Sequence, residues 1–65
     1  MMRLKTFRSM KYQTEISYYV DDIICCWSGE YACTGYGVDD NAYNITFDWS
    51  ESDDGVFLKD VVRID

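Results

Sequence analysis

Tyr43-Asn44-Ile45-Thr46-Phe47-Asp48-Trp49-Ser50 reads large, polar, large, polar without a break. Successive side chains of an extended backbone point to opposite faces. The alternation therefore predicts a strand that buries Tyr43, Ile45, Phe47 and Trp49 and shows Asn44, Thr46, Asp48 and Ser50 to water. Aromatic and β-branched residues suit such a pleated, half-buried surface. Upstream, Tyr12, Thr14, Ile16, Tyr18 and Val20 alternate in the same way with Gln13, Glu15, Ser17 and Tyr19. Two strands with one wet face each point to an antiparallel sheet.

Working outward from these, Ile23 to Trp27 is a short continuous apolar run, the pattern of a central strand. Ser28-Gly29-Glu30 is turn-like, and Tyr31 to Tyr36 follows as a weaker strand, loosened by Gly35 and Gly37. The dipeptide Asp-Asp occurs at Asp21-Asp22, Asp39-Asp40 and Asp53-Asp54. Aspartate bonds to nearby backbone N–H groups and tolerates unusual dihedrals, so each pair reads as punctuation between strands. The segment 56–64 has two readings. Phe57, Val61 and Ile64 recur at helical spacing, whereas Val56, Val61, Val62 and Ile64 are β-branched and favour a strand, which is the choice made here. The expected fold is mainly β: a five-stranded antiparallel meander or barrel-like sheet, with a short C-terminal helix as the alternative for its last element. Residues 1–10 form a flexible basic arm that either stays free or pairs as a sixth strand, and residues 11–65 form a single acidic β-rich domain.

The chain has 65 residues, close to the lower limit for folding alone, where about 60% of the unfolded surface is buried. Such a domain needs an aromatic-rich core, a covalent staple or a partner. Aromatic residues make up 17% and hydrophobic residues 48% of the chain, which argues against disorder. Cys25, Cys26 and Cys33 are odd in number, and vicinal cysteines rarely bridge each other. A small secreted domain would carry an even framework of four or more. Three cysteines without a histidine also lack a fourth soft ligand for zinc. All three are expected to be reduced thiols packed as small apolar residues. No secretory leader is read at the start, because Arg8 and Lys11 interrupt any apolar run, and the expected location is the cytoplasm of the producing or infected cell.

Charge is the strongest functional clue. Between Lys11 and Lys59 there is no lysine or arginine, yet the stretch carries Glu15, Asp21, Asp22, Glu30, Asp39, Asp40, Asp48, Glu51, Asp53 and Asp54. Arg3, Lys5, Arg8 and Lys11 put the opposite sign in the arm, and the net charge is −6. An anionic body repels nucleic acid and anionic lipid and attracts basic protein surfaces. Ordinary surfaces mix both signs, so the bland alternative, acids that merely keep the protein soluble, explains only part of the pattern. Acids on successive turns and outward strand positions could instead form a ridge that stands in for a run of phosphates.

Enzyme signatures are weak. Tyr19-Val20-Asp21-Asp22 resembles the Tyr-x-Asp-Asp hairpin of reverse-transcriptase palm domains, which holds catalytic magnesium. That chemistry also needs a third acid and a template groove, so an acid-tipped hairpin accounts for the same letters. There is no histidine to activate a cysteine or serine. The chain is therefore read as a non-enzyme, with no catalytic residue, no metal and no cofactor.

In size, charge and aromatic content the whole chain resembles small phage-encoded counter-defence proteins, such as anti-restriction and anti-CRISPR inhibitors. The resemblance is one of character with no shared motif. It implies an intracellular inhibitor that occupies a basic, nucleic-acid-handling surface of a host protein, without binding nucleic acid or membrane itself. The contact residues would be Asp21, Asp22, Asp39, Asp40, Asp53, Asp54, Glu30 and Glu51, with Tyr19 as an aromatic anchor because it lies on the polar face of its strand. The alternative is a self-associating structural or regulatory module, in which the basic arm of one copy docks on the acidic body of another and the acids otherwise serve solubility.

Overall fold

The computed structural model describes residues 3–50 and 55–64. They form one antiparallel sheet with strands β1 (Leu4–Ser9), β2 (Thr14–Tyr19), β3 (Ile24–Cys25), β4 (Tyr31–Gly37), β5 (Ala42–Ser50) and β6 (Gly55–Arg63). The spatial order is β1-β2-β4-β5-β6, and β3 also pairs with β4. Every pairing is antiparallel, as the alternating patterns require.

The strand predicted from the Tyr43–Ser50 alternation is β5, which lies between β4 and β6. Tyr43 and Ile45 are fully buried and Phe47 nearly so, but Trp49 at the end is 62% exposed. Ile16 from β2, Cys33 from β4 and Val61 from β6 complete the core. Phe7, Tyr12, Tyr18, Ile23, Tyr31 and Val56 pack around it. The large buried side chains converge on one face of a single sheet, and the sheet curls over them into a half-barrel.

The curl depends on the central strand being thin on its inner side. Pairing across β4 sets Cys33 opposite Ile45 and Gly35 opposite Tyr43. A Cβ on Gly35 would lie 2.6 Å from Ile45 Cδ1 and 3.0 Å from Ile16 Cγ2, so only glycine lets the side chains of β2 and β5 meet above β4. That meeting includes the rings of Tyr18 and Phe47, whose centroids are 5.3 Å apart. Tilted aromatic pairs at such distances add to the stabilisation that burial alone gives.

Two readings left open by the sequence are decided, and one expectation changes. The basic arm pairs as the sixth strand that the sequence left open: Leu4 to Ser9 pair residue for residue with Tyr19 to Thr14, which makes six strands among the described residues. The arm carries Leu4 and Phe7 at positions that extend the sheet, and Phe7 packs edge-on against Tyr18. The segment 56–64 falls within a strand as far as Arg63, and the helical reading is dropped. Phe57 and Val61 face opposite sides, and a β-bulge interrupts the strand between them: Thr46 pairs with Asp60 but Phe47 pairs with Leu58, so Lys59 is an extra residue. One inserted residue breaks period two and leaves Leu58 and Val61 three apart on the same side.

The correction concerns Ile23 to Trp27. Its continuous apolar run forms no central strand, and only Ile24 and Cys25 pair, with Ala32 and Tyr31. Trp27 is fully exposed and Ile24 is 64% exposed. Central burial goes to β4, whose other neighbour on this edge is β2. The run turns instead, with the N–H of Gly29 donating to the carbonyl of Cys26 at 2.9 Å and Gly29 at φ +92°. A positive φ is why the turn needs glycine there.

Candidate functional site

Strand parity sorts the acids. Because Ile16, Tyr43, Ile45 and Phe47 face the core, Glu15, Asp48 and the pair Thr46–Asp60 lie on the outer face of the sheet. Arg8 pairs with Glu15, so the β1 side of that face is mixed in sign. At the opposite side, Lys59 Nζ donates to Glu30 Oε2 at 2.8 Å, linking β6 to the start of β4 across β5. Glu30, followed by Asp48 and Asp60, raises the Lys59 pKa above its ordinary value. Three carboxylates thus share one ammonium. The Lys59–Glu30 pair is 46% exposed on both sides, so it contributes little to stability.

Asp21 and Asp22 sit where β2 stops following β4. Ile16 and Ser17 pair with Gly37 and Tyr36, whereas Ile24 and Cys25 pair with Ala32 and Tyr31. The second register carries three more residues than the first, and the excess is taken up by the single 3₁₀ turn Val20–Asp22. Both aspartates are exposed on that turn, and Asp21 Oδ2 accepts from the N–H of Arg3 at 3.2 Å. The interruption opens a shallow groove of about 490 Å³ lined by Asp21, Asp22, Ile24, Ala32, Thr34 and Tyr36, with Cys33 and Asn44 also bordering it. Glu30, just before β4, and Thr34 on it are four residues apart, about 13 Å if extended, so the two acidic groups flank one stretch of the outer face.

Asp39 and Asp40 lie in the β4–β5 turn and differ in role. The carboxylate of Asp39 accepts from the hydroxyl of Tyr43, from Asn41 Nδ2 and from the Asn41 N–H. The Tyr43 hydroxyl, then Asn41, holds the Asp39 carboxyl below the usual carboxylate range. Asp39 therefore fastens the turn to the buried ring of Tyr43, whereas exposed Asp40, at φ +68°, remains on the surface. A lowered pKa means that the folded state binds fewer protons than the unfolded one, so this stabilisation is present above about pH 4 and is lost as pH falls through the depressed value. Tyr43→Phe should accordingly melt below the parent at neutral pH, and the gap should narrow below about pH 4. Thermal melts of both proteins across the acid range check this; a gap that stays constant would count against it.

Tyr19 is 41% exposed on the outer face, as its strand position implied. Among the described residues Trp27, Tyr36 at 66%, Trp49 and Phe57 are more exposed aromatics, none of which was singled out from the sequence as a contact residue. Trp27 was hidden by the apolar run that precedes it, although the adjoining Ser28-Gly29 could have marked it as a hairpin tip. Glu51, Asp53 and Asp54 lie outside the described residues.

The cysteines divide. All are free thiols, but only Cys33 is buried, while Cys25 is exposed and Cys26 intermediate, so the expectation of three packed thiols holds for Cys33 alone. Burial, and secondarily the charge of Asp22, push the Cys33 thiol up to about 11. Alkylation near pH 8 with mass-spectrometric mapping should label Cys25 first and leave Cys33 protected until the sheet opens. Equal labelling of both would show that β4 is not covered as described.

Among the described residues no group of histidine, cysteine or carboxylate side chains could hold a metal ion, and no helix is long and apolar enough to cross a membrane. Comparison with protein-family models, curated proteins and solved structures yields no match.

Proposed function

We propose that this protein is a small acidic protein-binding inhibitor that covers a basic, nucleic-acid-handling surface of another protein. The observation that supports the reading most is the placement of Asp21, Asp22, Glu30, Asp48 and Asp60 on or beside one face, with Lys59 bonded to Glu30 within the group. Exposed Tyr19, Tyr36 and Ile24 among them supply apolar area of the kind that anchors interfaces. Charge steers the encounter and selects a basic partner, and the aromatic residues supply the area that desolvates on contact.

A capture from nuclease-treated lysate of a candidate host, washed at rising salt, tests the proposal. The expected result is one nucleic-acid-binding protein, weakened by salt and displaced by competing nucleic acid. The variant Asp21→Lys/Asp22→Lys should reduce capture while its melting temperature falls only slightly, because both side chains are exposed and the one bond given up there is the exposed one that Asp21 accepts from the Arg3 N–H. A partner indifferent to salt and to the double variant would overturn the charge-based reading.

Self-association is supported less. Docking of the basic arm on a second copy would require β1 to leave its paired place beside β2. The β6 edge is also blunted, by the Lys59 bulge and by Asp60 Oδ1, which accepts from the N–H of Val61 at 2.8 Å. Bulges and charges at an edge strand are devices that discourage strand addition.

A further inference from the structure

We infer that the outer-face groove between the 3₁₀ turn and β4 receives an arginine side chain of the partner. The inference rests on the protein-binding reading above and specifies one contact of it.

The groove exists because of the register step. From Cys33 to Gly35, β4 has no paired residue on the side where β2 departs and β3 has yet to arrive. Val20–Asp22 arches over that gap and places Asp21 and Asp22 on its rim. On β4, Ala32, Thr34 and Tyr36 follow one another along the outer face, each step about 6.8 Å, twice the rise per residue. Ile24 lies opposite Ala32, and Asn44 lies opposite Thr34. The lining is therefore layered: apolar at Ile24 and Ala32, neutral and polar at Thr34 and Asn44, aromatic at Tyr36 and anionic at Asp21 and Asp22.

That layering matches one side chain better than others. The aliphatic stem of an arginine can lie along Ile24 and Ala32 while its charged head stays partly wet. A guanidinium is planar and weakly hydrated, stacks on an aromatic face and presents five donors in a fixed fork. Tyr36 offers an exposed ring for stacking, and the two adjacent carboxylates, with the side-chain oxygens of Thr34 and Asn44, offer acceptors. A lysine ammonium is compact and strongly hydrated, and would use the carboxylates but gain little from the ring. The groove lies open to solvent along the outer face, so it suits a side chain delivered on a partner's surface more than a free small molecule.

The test is a nitrogen-15 NMR titration of the intact protein at low salt with the blocked peptide acetyl-Gly-Arg-Gly-amide, against its Gly-Lys-Gly counterpart. The expected result is a saturable set of shifts centred on Ile24, Ala32, Thr34, Tyr36 and Asn44, larger for arginine than for lysine. Thr34→Arg, at an exposed outer position, should occupy the groove with its own guanidinium and remove that response. Asp21→Asn/Asp22→Asn, which leaves the backbone untouched, should weaken binding about threefold or more, given the modest worth of exposed ion pairs. Shifts equal for the two peptides and spread over Asp40, Asp48 and Asp60 would overturn the groove while leaving the acidic-face reading in place. No shift with either peptide would overturn the groove, and the capture experiment separately decides the broader reading.

Discussion

Phe47→Ala should unfold a large part of the population under conditions where the parent is folded. Phe47 is 1% exposed and its ring meets Tyr18 across the curl. Truncating a buried phenylalanine costs about 3–5 kcal/mol, because the lost transfer energy is joined by a cavity that the surroundings only partly fill. Stability scales as about 0.05–0.15 kcal/mol per residue, so a domain of this length has roughly 3–10 kcal/mol in all. The substitution therefore removes between a third and the whole. Phe57→Ala is the control, since Phe57 is 46% exposed and should lose less than about 1 kcal/mol. Urea unfolding of the two variants decides the matter. Equal losses would mean that the concave face is not the core.

Gly35→Val should be strongly destabilising, because it adds atoms where the sheet closes on itself. Its Cβ would approach Ile45 Cδ1 to 2.6 Å, and the Ser17 carbonyl oxygen, which is backbone and cannot rotate away, to 3.0 Å. Overpacking of this kind costs about 1–3 kcal/mol, with valine at the upper end because two further carbons follow the Cβ. Gly35→Ala should cost less, and Ile45→Val should partly rescue it, since that change removes the δ-carbon that the new methyl meets first. A double-mutant cycle on Gly35→Ala and Ile45→Val reads the coupling directly. Strictly additive losses would sink the claim that Gly35 lets β2 and β5 close over β4.

The elements legible in the sequence were those whose pattern is local. Tyr43, Ile45 and Phe47 in β5, and Thr14 and Ile16 in β2, are buried at the positions that alternation marks. The turns at Asp21-Asp22 and Asp39-Asp40 also fall where aspartate pairs were expected. The candidate site was legible in composition but not in arrangement. Asp39 and Asp40 are neighbours of one type, yet Asp39 is bonded to Tyr43 while Asp40 remains exposed. Nothing in the letters Asp-Asp distinguishes them, because the distinction depends on where the Tyr43 hydroxyl arrives.

By itself the sequence determined that the chain is mainly β, that its core is aromatic, and that its body is anionic. Side-chain alternation and charge are properties of each short segment, independent of what it pairs with. Only the tertiary structure decided that the basic arm joins the sheet as β1, that Lys59 is a bulge, and that Trp27 stands in water. It also decided that Asp21 and Asp22 border a groove. Each of these depends on register and strand order, set by hydrogen-bond ladders between distant segments. A register step of one residue, as at Lys59, or of three, as between β2 and β3, reassigns which side chains meet.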